Sequence, residues 1–156
     1  MGKQDFAAAA LRGLADLARY RQDDEEALSR YTESLCLQRE LAAGIVHKIA
    51  SERGGAECAA CLQGLAAMVC AEGQAVRAAR LLGAAEALRE AGRAFLAPAE
   101  QADLDGIVAA VRAALAETDL AAAWAEGRAM SLEQALAYAQ TEGVEGEELK
   151  VGVKML

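Results

Sequence analysis

Two stretches of the chain carry the same spacing of small and large apolar residues, and this repetition is what most limits the possible folds. The first stretch begins at Leu11 and the second at Leu62. Each follows one face of an α-helix, crosses a short turn and continues along a second helical face. The first set is Leu11, Leu14, Ala15, Ala18, Ala27, Tyr31 and Ser34, and the second is Leu62, Leu65, Ala66, Val69, Ala78, Leu82 and Ala85. Equal spacings in one chain predict two copies of a helix pair.

Small residues at fixed positions in both units predict that the helices cross at short distance. Ala15 and Ala66 hold the small position of the first helix, and Ala27 and Ala78 hold that of the second. Alanine, the strongest helix former, makes up about a quarter of the chain, and aromatic residues only 4%. We therefore expect an all-α fold in which antiparallel helix pairs stack as an α-solenoid, with these four alanines buried.

Turn signals in the first half place the breaks between helices. Residues 22–24 and 72–74 supply the turns inside the two pairs. The pair Gly54-Gly55 is the clearest stop, and the third helix is expected to run over about 56–71. The second helix can extend past residue 41 towards those glycines.

Signals in the second half bring the total to about seven helices. Pro98 suits the first turn of the fifth helix, where its missing N–H costs nothing. Thr118 or Asp119 is expected to cap the sixth helix, and Gly127 to end it. A capping box at 131–134 opens the seventh, which is expected to close the stack.

Charge and hydropathy limit the partners. The formal net charge is −8, so the chain lacks the basic face with which proteins neutralise nucleic-acid phosphates or approach an anionic membrane. Its longest uncharged run, 58–71, is too short to span a bilayer, and we expect a cytoplasmic protein. We expect one helical domain over 1–141 and a loosely ordered tail over 142–156, where glycines and glutamates interrupt any helical period.

Two blocks in the second half carry a more specific pattern. One is Gly73-Gln74 followed by AARLLGAAEALR at 78–89, and the other is AWAEGRAMS at 123–131. Together with the repeat spacing over 8–140, they resemble the tetratricopeptide-like carboxy-terminal region of large bacterial ATP-dependent regulators of the LuxR and MalT type. The resemblance implies a sensing or docking segment, with the ATPase and helix-turn-helix elsewhere in longer chains. No G-x-x-x-x-G-K-[ST] motif occurs here.

The resemblance also implies a concave groove lined by the first helix of each pair. The candidate groove residues are Arg12, Asp16 and Arg19 in the first unit and Gln63, Ala67 and Cys70 in the second. Arg12 and Arg19 could clamp a carboxylate of a partner. The alternative is an exposed face with ordinary i,i+4 ion pairs.

The leading hypothesis is a binding module without catalytic machinery or cofactor, whose partner is a protein, a peptide or a small effector. His47 is the single histidine and has no carboxylate or serine in a recognisable catalytic spacing. Trp124 is expected to be a core anchor at the closing end of the stack.

Two alternatives stay open. One is a stand-alone scaffold that self-associates, for example as a homodimer, through an uncapped end near residues 7–10. The other is a thiol or metal site. Cys58 and Cys61 form a C-x-x-C on one helical face, with His47 and Cys36 as candidate further ligands. Both cysteines also suit a core as small apolar residues.

Overall fold

The computed structural model describes residues 3–43 and 47–141, and all regular structure in these ranges is helical. The predicted extension of the second helix beyond residue 43 and the predicted tail at 142–156 lie outside the described residues. The seven helices are α1 (Lys3–Tyr20), α2 (Asp24–Ala43), α3 (His47–Ala71), α4 (Ala75–Ala91), α5 (Pro98–Ala114), α6 (Glu117–Arg128) and α7 (Leu132–Gln140). The expected all-α class and the helix number within these ranges are confirmed.

The two predicted helix pairs, α1–α2 and α3–α4, contain turns of the same conformation 51 positions apart. Gln22 and Gly73 both adopt positive φ, at 63° and 87°. The amides of Gln22 and Gly73 donate three residues back, and the amides that follow them donate five residues back. This is the Schellman arrangement, in which a left-handed residue ends a helix and satisfies its last carbonyls.

The four alanines that define the repeat are buried, as the spacing predicts. Ala15, Ala27, Ala66 and Ala78 each have 0% of their surface exposed. Helices α3 and α4 form the centre of the fold, since α3 contacts α1, α2, α4, α5 and α7. The core is therefore one stack in which small side chains let neighbouring helices approach closely.

Pro98 and the capping box at 131–134 lie where the sequence predicts them, and Asp23 provides a further cap. The Oδ1 of Asp23 accepts the amide of Glu26 at 3.2 Å at the start of α2, and Pro98 is the first residue of α5. Ser131 and Gln134 make the reciprocal capping box of α7, with bonds of 2.9 and 3.1 Å. These bonds satisfy amides that a helix start leaves without partners.

The glycine pair at 54–55 does not end a helix, which corrects the sequence prediction. Helix α3 begins at His47 and runs through both glycines, rather than beginning near residue 56. An internal glycine costs about 1 kcal/mol relative to alanine. The packing of α3 on α2 and α4 outweighs this cost.

The limits of α6 also differ from the prediction. The helix begins at Glu117 after Ala116, which makes no side-chain capping bond, so neither Thr118 nor Asp119 is its cap. Gly127, expected to end the helix, is its penultimate residue and is buried. Its role is therefore in packing.

Gly127 and Gly83 allow α6 and α4 to touch through their backbones. A methyl group at Gly127 would lie 2.8 Å from the carbonyl carbon of Arg80, and one at Gly83 would lie 3.1 Å from that of Trp124. The first separation is shorter than side-chain carbons show and the second is unusually tight, and in both cases the carbonyl oxygen lies closer still. Helix α6 consequently packs far more extensively on α4 than on α5, so the third pair is not a hairpin like the first two.

Helix α7 lies across earlier helices instead of closing the far end of the stack. It contacts α2, α3 and α4. Arg77 of α4 donates to the carbonyl of Ala139 at 3.4 Å and to that of Thr141, at the carboxyl end of α7. A cation is favourable there, because the last carbonyls of a helix carry partial negative charge.

Trp124 is half-buried against the core, and its indole N–H donates to Glu86.

Candidate functional site

The three groove candidates of α1 take part in one set of polar contacts that we call the groove network, made of Arg12, Asp16, Arg19, Tyr31, Glu57 and Asp103. Arg12 lies between two carboxylates. Its Nε is 2.6 Å from Oε2 of Glu57 on α3, and its Nη1 is 2.8 Å from Oδ2 of Asp16 one turn further along α1. Arg12 thus joins the first helix of one unit to the first helix of the next.

Arg19 extends the network to α5. Its Nη2 is 2.7 Å from Oδ2 of Asp103, and its Nε donates to the hydroxyl of Tyr31 at 3.3 Å. The Tyr31 hydroxyl in turn donates to Asp16. The side chains of Arg12, Asp16, Arg19, Glu57 and Asp103 are all half-buried, and Tyr31 is fully buried. The network therefore spans α1, α2, α3 and α5.

The electrostatics favour charged arginines and a neutral phenol. Burial disfavours the charged form of Arg12, but the hydrogen bond and charge of Glu57 more than offset it, and its pKa lies above the ordinary value. The same balance, set by Asp103 and Tyr31, raises the pKa of Arg19. Burial and the neighbouring Asp16 raise the pKa of Tyr31. The network contains two guanidinium groups and three carboxylates, so its acidic groups outnumber its basic ones.

The corresponding residues of α3 do not join this network. Gln63 is buried, and its Oε1 accepts from Nη1 of Arg89 on α4 at 3.1 Å. Burial lowers the pKa of Arg89, an effect that Glu86 partly offsets. Ala67 and Cys70 are half-buried against the core.

Sequence reasoning missed two members of the network, Glu57 and Asp103. Both lie on helices other than α1, and no spacing rule relates charges on separate helices. Tyr31 belongs to the repeat set, but the repeat spacing does not predict its hydrogen bonds. The one sequence signal for these hydrogen bonds is the hydroxyl group of Tyr31, because a buried tyrosine hydroxyl usually has a hydrogen-bond partner.

The cysteines of the C-x-x-C lie in a buried polar cluster between α2 and α3. Cys58 donates to the side-chain oxygen of Gln38, and Cys61 Sγ is 3.4 Å from Oγ of Ser34. Ser34 donates to the carbonyl of Ala8 at 2.7 Å. Burial raises the pKa of Cys61 to about 12, and it raises that of Cys58 as well. Thiols of this kind are protonated at neutral pH and poor nucleophiles.

The other candidate metal ligands are not assembled around that pair. Cys36 is exposed, and its sulfur accepts from Nε2 of Gln140 on α7 at 3.0 Å. The side chain of His47 is outside the described part of the chain. Among the described side chains, no group of three or more His, Cys, Asp or Glu residues could hold a metal ion.

The comparisons with known proteins point to transcriptional regulators. A stretch of 79 residues, 51% of this chain, is 43% identical to proteins named "Putative HTH-type transcriptional regulator" in Mycobacterium bovis and in two strains of Mycobacterium tuberculosis. That stretch makes up 9% of each relative, so these proteins are much longer than this chain. No family model and no solved structure matches. None of the described helices has the length and apolar character needed to cross a membrane.

Proposed function

We propose that this chain is a tetratricopeptide-like binding module of a transcription-regulatory protein, which acts by binding a peptide, protein or small effector and not by catalysis. The similarity to transcriptional regulators supports the context. The groove network supports the binding role, because it places two arginines and three carboxylates on the first helices of successive units. The buried, protonated thiols and the absence of a catalytic spacing around His47 support a non-catalytic role.

The observation that carries this proposal is the Arg19–Asp103 pair, which joins α1 to α5. A ligand carboxylate replaces Asp103 at Arg19 at small cost, since one charge-assisted bond is exchanged for another. Such an exchange releases α5 from α1 and changes the curvature of the stack. In this proposal, a domain attached to the stack responds to that change, and its response alters transcription.

The test uses a bacterial two-hybrid screen with the whole chain, followed by calorimetric titration of each partner found. Arg12→Glu together with Arg19→Glu is expected to weaken binding by more than about tenfold, which is about 1.4 kcal/mol. Arg112→Glu, on an exposed part of α5, is the control for added negative charge. Binding that is unchanged in the double variant overturns the groove assignment.

A second variant keeps the test informative if charge reversal unfolds the protein. Asp103→Asn removes the competing carboxylate and keeps the shape of the side chain. It is expected to strengthen binding of a carboxylate-bearing partner several-fold. Equal or weaker binding by a well-folded Asp103→Asn protein contradicts the exchange mechanism.

A self-associating scaffold is the second candidate function. It is favoured by the exposure of Ala7 and Ala10 on α1, which would form one part of a larger contact between copies. Size-exclusion chromatography with light scattering distinguishes the two functions. A concentration-dependent increase in mass supports the scaffold, and a monomer at all concentrations contradicts it.

A further inference from the structure

Helix α1 carries an uncharged face that no other described helix covers, and its one described ring contact is that of Tyr20 with the Arg19 guanidinium, 4.8 Å from the ring centre. We call it the outer α1 face. Its members are Phe6, Ala7, Ala10, Gly13, Leu14, Leu17 and Tyr20, all of them exposed. Phe6 and Tyr20 are 62% and 65% exposed, and Leu14, which the repeat spacing predicted to be covered, is 48% exposed. A continuous apolar strip of this length on one helix is unusual for a surface that faces only water.

The structural repeat shows what covers the equivalent face of α3. There, Cys58 contacts Gln38, Cys61 contacts Ser34, and Gly64 lies under the ring of Tyr31. All three partners belong to α2. The positions 51 residues earlier on α1 are Ala7, Ala10 and Gly13, and those equivalent to the buried Leu65 and Met68 are Leu14 and Leu17. Five members of the outer α1 face are thus equivalent to buried positions of α3, and three of those positions contact α2. The other two, Phe6 and Tyr20, are equivalent to the half-buried Glu57 and the exposed Ala71.

Gly13 gives this correspondence an independent check. At Gly64 an added methyl group would lie 2.6 Å from Cε1 of Tyr31, so the missing side chain makes room for the ring. At Gly13 the same methyl group would meet nothing within 4 Å. A glycine inside a helix lowers its stability, and no contact in the described chain accounts for the one at Gly13.

We propose that the outer α1 face is a docking site for an amphipathic helix, which packs on α1 as α2 packs on α3. The helix places an aromatic or large aliphatic side chain over Gly13. Since Ala7 and Ala10 stand where α3 has two thiols, the helix needs small apolar residues there in place of serine and glutamine. The site uses positions of α1 other than Arg12, Asp16 and Arg19, so the proposal does not depend on the groove function.

The size of the face indicates where such a helix comes from. The part of α1 from Phe6 to Tyr20 spans about 22 Å, and a strip about 10 Å wide covers about 220 Å². A stable dimer buries about 800 Å² on each partner, so a second copy docked through this face alone would not hold. The occupant is therefore a helix of a longer helical polypeptide, held near α1 at high effective concentration. The matched relatives are much longer than this chain, because the matched stretch is 9% of their length.

The experiment supplies such a helix to the whole chain. A copy of residues 24–43 is joined ahead of α1 by a flexible linker, with Ser34→Ala and Gln38→Ala made in the added copy. Docking is expected to slow amide hydrogen exchange in α1 about tenfold or more relative to the chain without the added helix. Tyr31→Ala in the added copy is expected to abolish the effect.

Gly13→Ala and Gly106→Ala form a matched pair of controls. Both glycines are exposed, lie inside helices and have open space at the missing methyl group. Both changes are expected to stabilise the unfused chain, but only Gly13→Ala is expected to remove the slowing of exchange in the fused protein. Equal slowing with both changes, or no slowing in the parent fusion, overturns the proposal. A dimer of the unfused chain that Leu17→Glu disrupts also overturns it, since the occupant is then a second copy.

Discussion

Gly83 of α4 and Gly127 of α6 form a reciprocal contact in which each glycine lies against the backbone of the other's helix. A methyl group on either one would overlap a carbonyl group across the crossing. This contact fixes the position of α6 and, through it, the departure of the third pair from a simple hairpin. Backbone atoms cannot move aside as a flexible side chain can, so substitutions here are expected to be costly.

Gly127→Ala is expected to lower the free energy of unfolding by about 1–3 kcal/mol, because the added carbon forces α6 away from α4. Gly106→Ala is the control, since Gly106 lies on α5 with no atom near the missing methyl group. It is expected to raise the free energy of unfolding by about 0.5–1 kcal/mol. Urea denaturation followed by circular dichroism measures both, and a similar effect of the two changes would contradict the close crossing.

The two equivalent turns predict opposite effects of exchanging their residues. Gln22 holds a positive φ of 63° that glycine adopts without strain, and Gly73 holds 87°. Gln22→Gly is expected to stabilise the protein by about 0.5–1 kcal/mol, and Gly73→Gln to destabilise it by a similar amount or more. Thermal denaturation of both variants checks the pair. Destabilisation by Gln22→Gly would show that its side chain matters more than its backbone.

The Arg19–Asp103 pair is expected to couple α1 to α5 measurably. Its side chains are 14% and 25% exposed, so it is less screened than a surface pair. A double-mutant cycle with Arg19→Ala and Asp103→Ala is expected to give a coupling free energy of about 1 kcal/mol. The same cycle on Arg128 and Glu90, whose side chains are 38% and 58% exposed, is expected to give a smaller value that falls further with salt. Equal coupling free energies for the two pairs would contradict the expectation that burial strengthens the Arg19–Asp103 pair.

The four cysteines are expected to react with an alkylating reagent in an order set by burial. Cys36 is exposed and reacts first, whereas Cys58 and Cys61 are buried and react only after unfolding. Cys70 is half-exposed, and burial raises the pKa of its thiol, so its rate lies between. Mass spectrometry of the native protein at neutral pH gives the order. Early modification of Cys58 or Cys61 would contradict the buried cluster.

Stability is expected to fall at alkaline pH because of the same buried thiols. Burial raises the pKa of Cys61 from 9.0 to about 12, so the folded protein keeps a proton that the unfolded chain loses. Below pH 9 this thiol therefore does not change the free energy of unfolding. That free energy falls as the pH rises from about 9 towards 12. The slope is about 1.4 kcal/mol per pH unit for each thiol. Urea denaturation between pH 8 and 11 is expected to show a shallower slope for Cys58→Ala with Cys61→Ala, and an unchanged slope would contradict the assignment.

The local periodicity of the sequence was sufficient for the paired helices and their buried alanines. Ala15, Ala27, Ala66 and Ala78 could be placed because a helical face is set by spacing within a short stretch. Ser131 and Pro98 could be placed because capping and helix starts depend on neighbours in sequence. Each of these predictions needed only information from within a few turns of helix.

The contacts between distant helices needed information that spacing does not hold. The sequence predicts a helix end at Gly127, because its packing role depends on where α6 meets α4 and local spacing does not show that. Leu14 has the same repeat position as Leu65, yet it is exposed because no described helix lies outside α1. For the same reason, only the α1 members of the groove network could be predicted. Glu57 and Asp103 join the network only when α3 and α5 fold against α1.

The return of α7 to the first helix pair changes how this protein unfolds. A repeat array usually behaves as a row of units coupled only to their nearest neighbours, so its ends can open alone. Here α7 contacts α2, which ties the last described helix to the first pair. Loss of either end is therefore felt at the other, and we expect a single cooperative transition. Shortening the chain one helix pair at a time, the usual way to map a repeat protein, would disturb all of it at once.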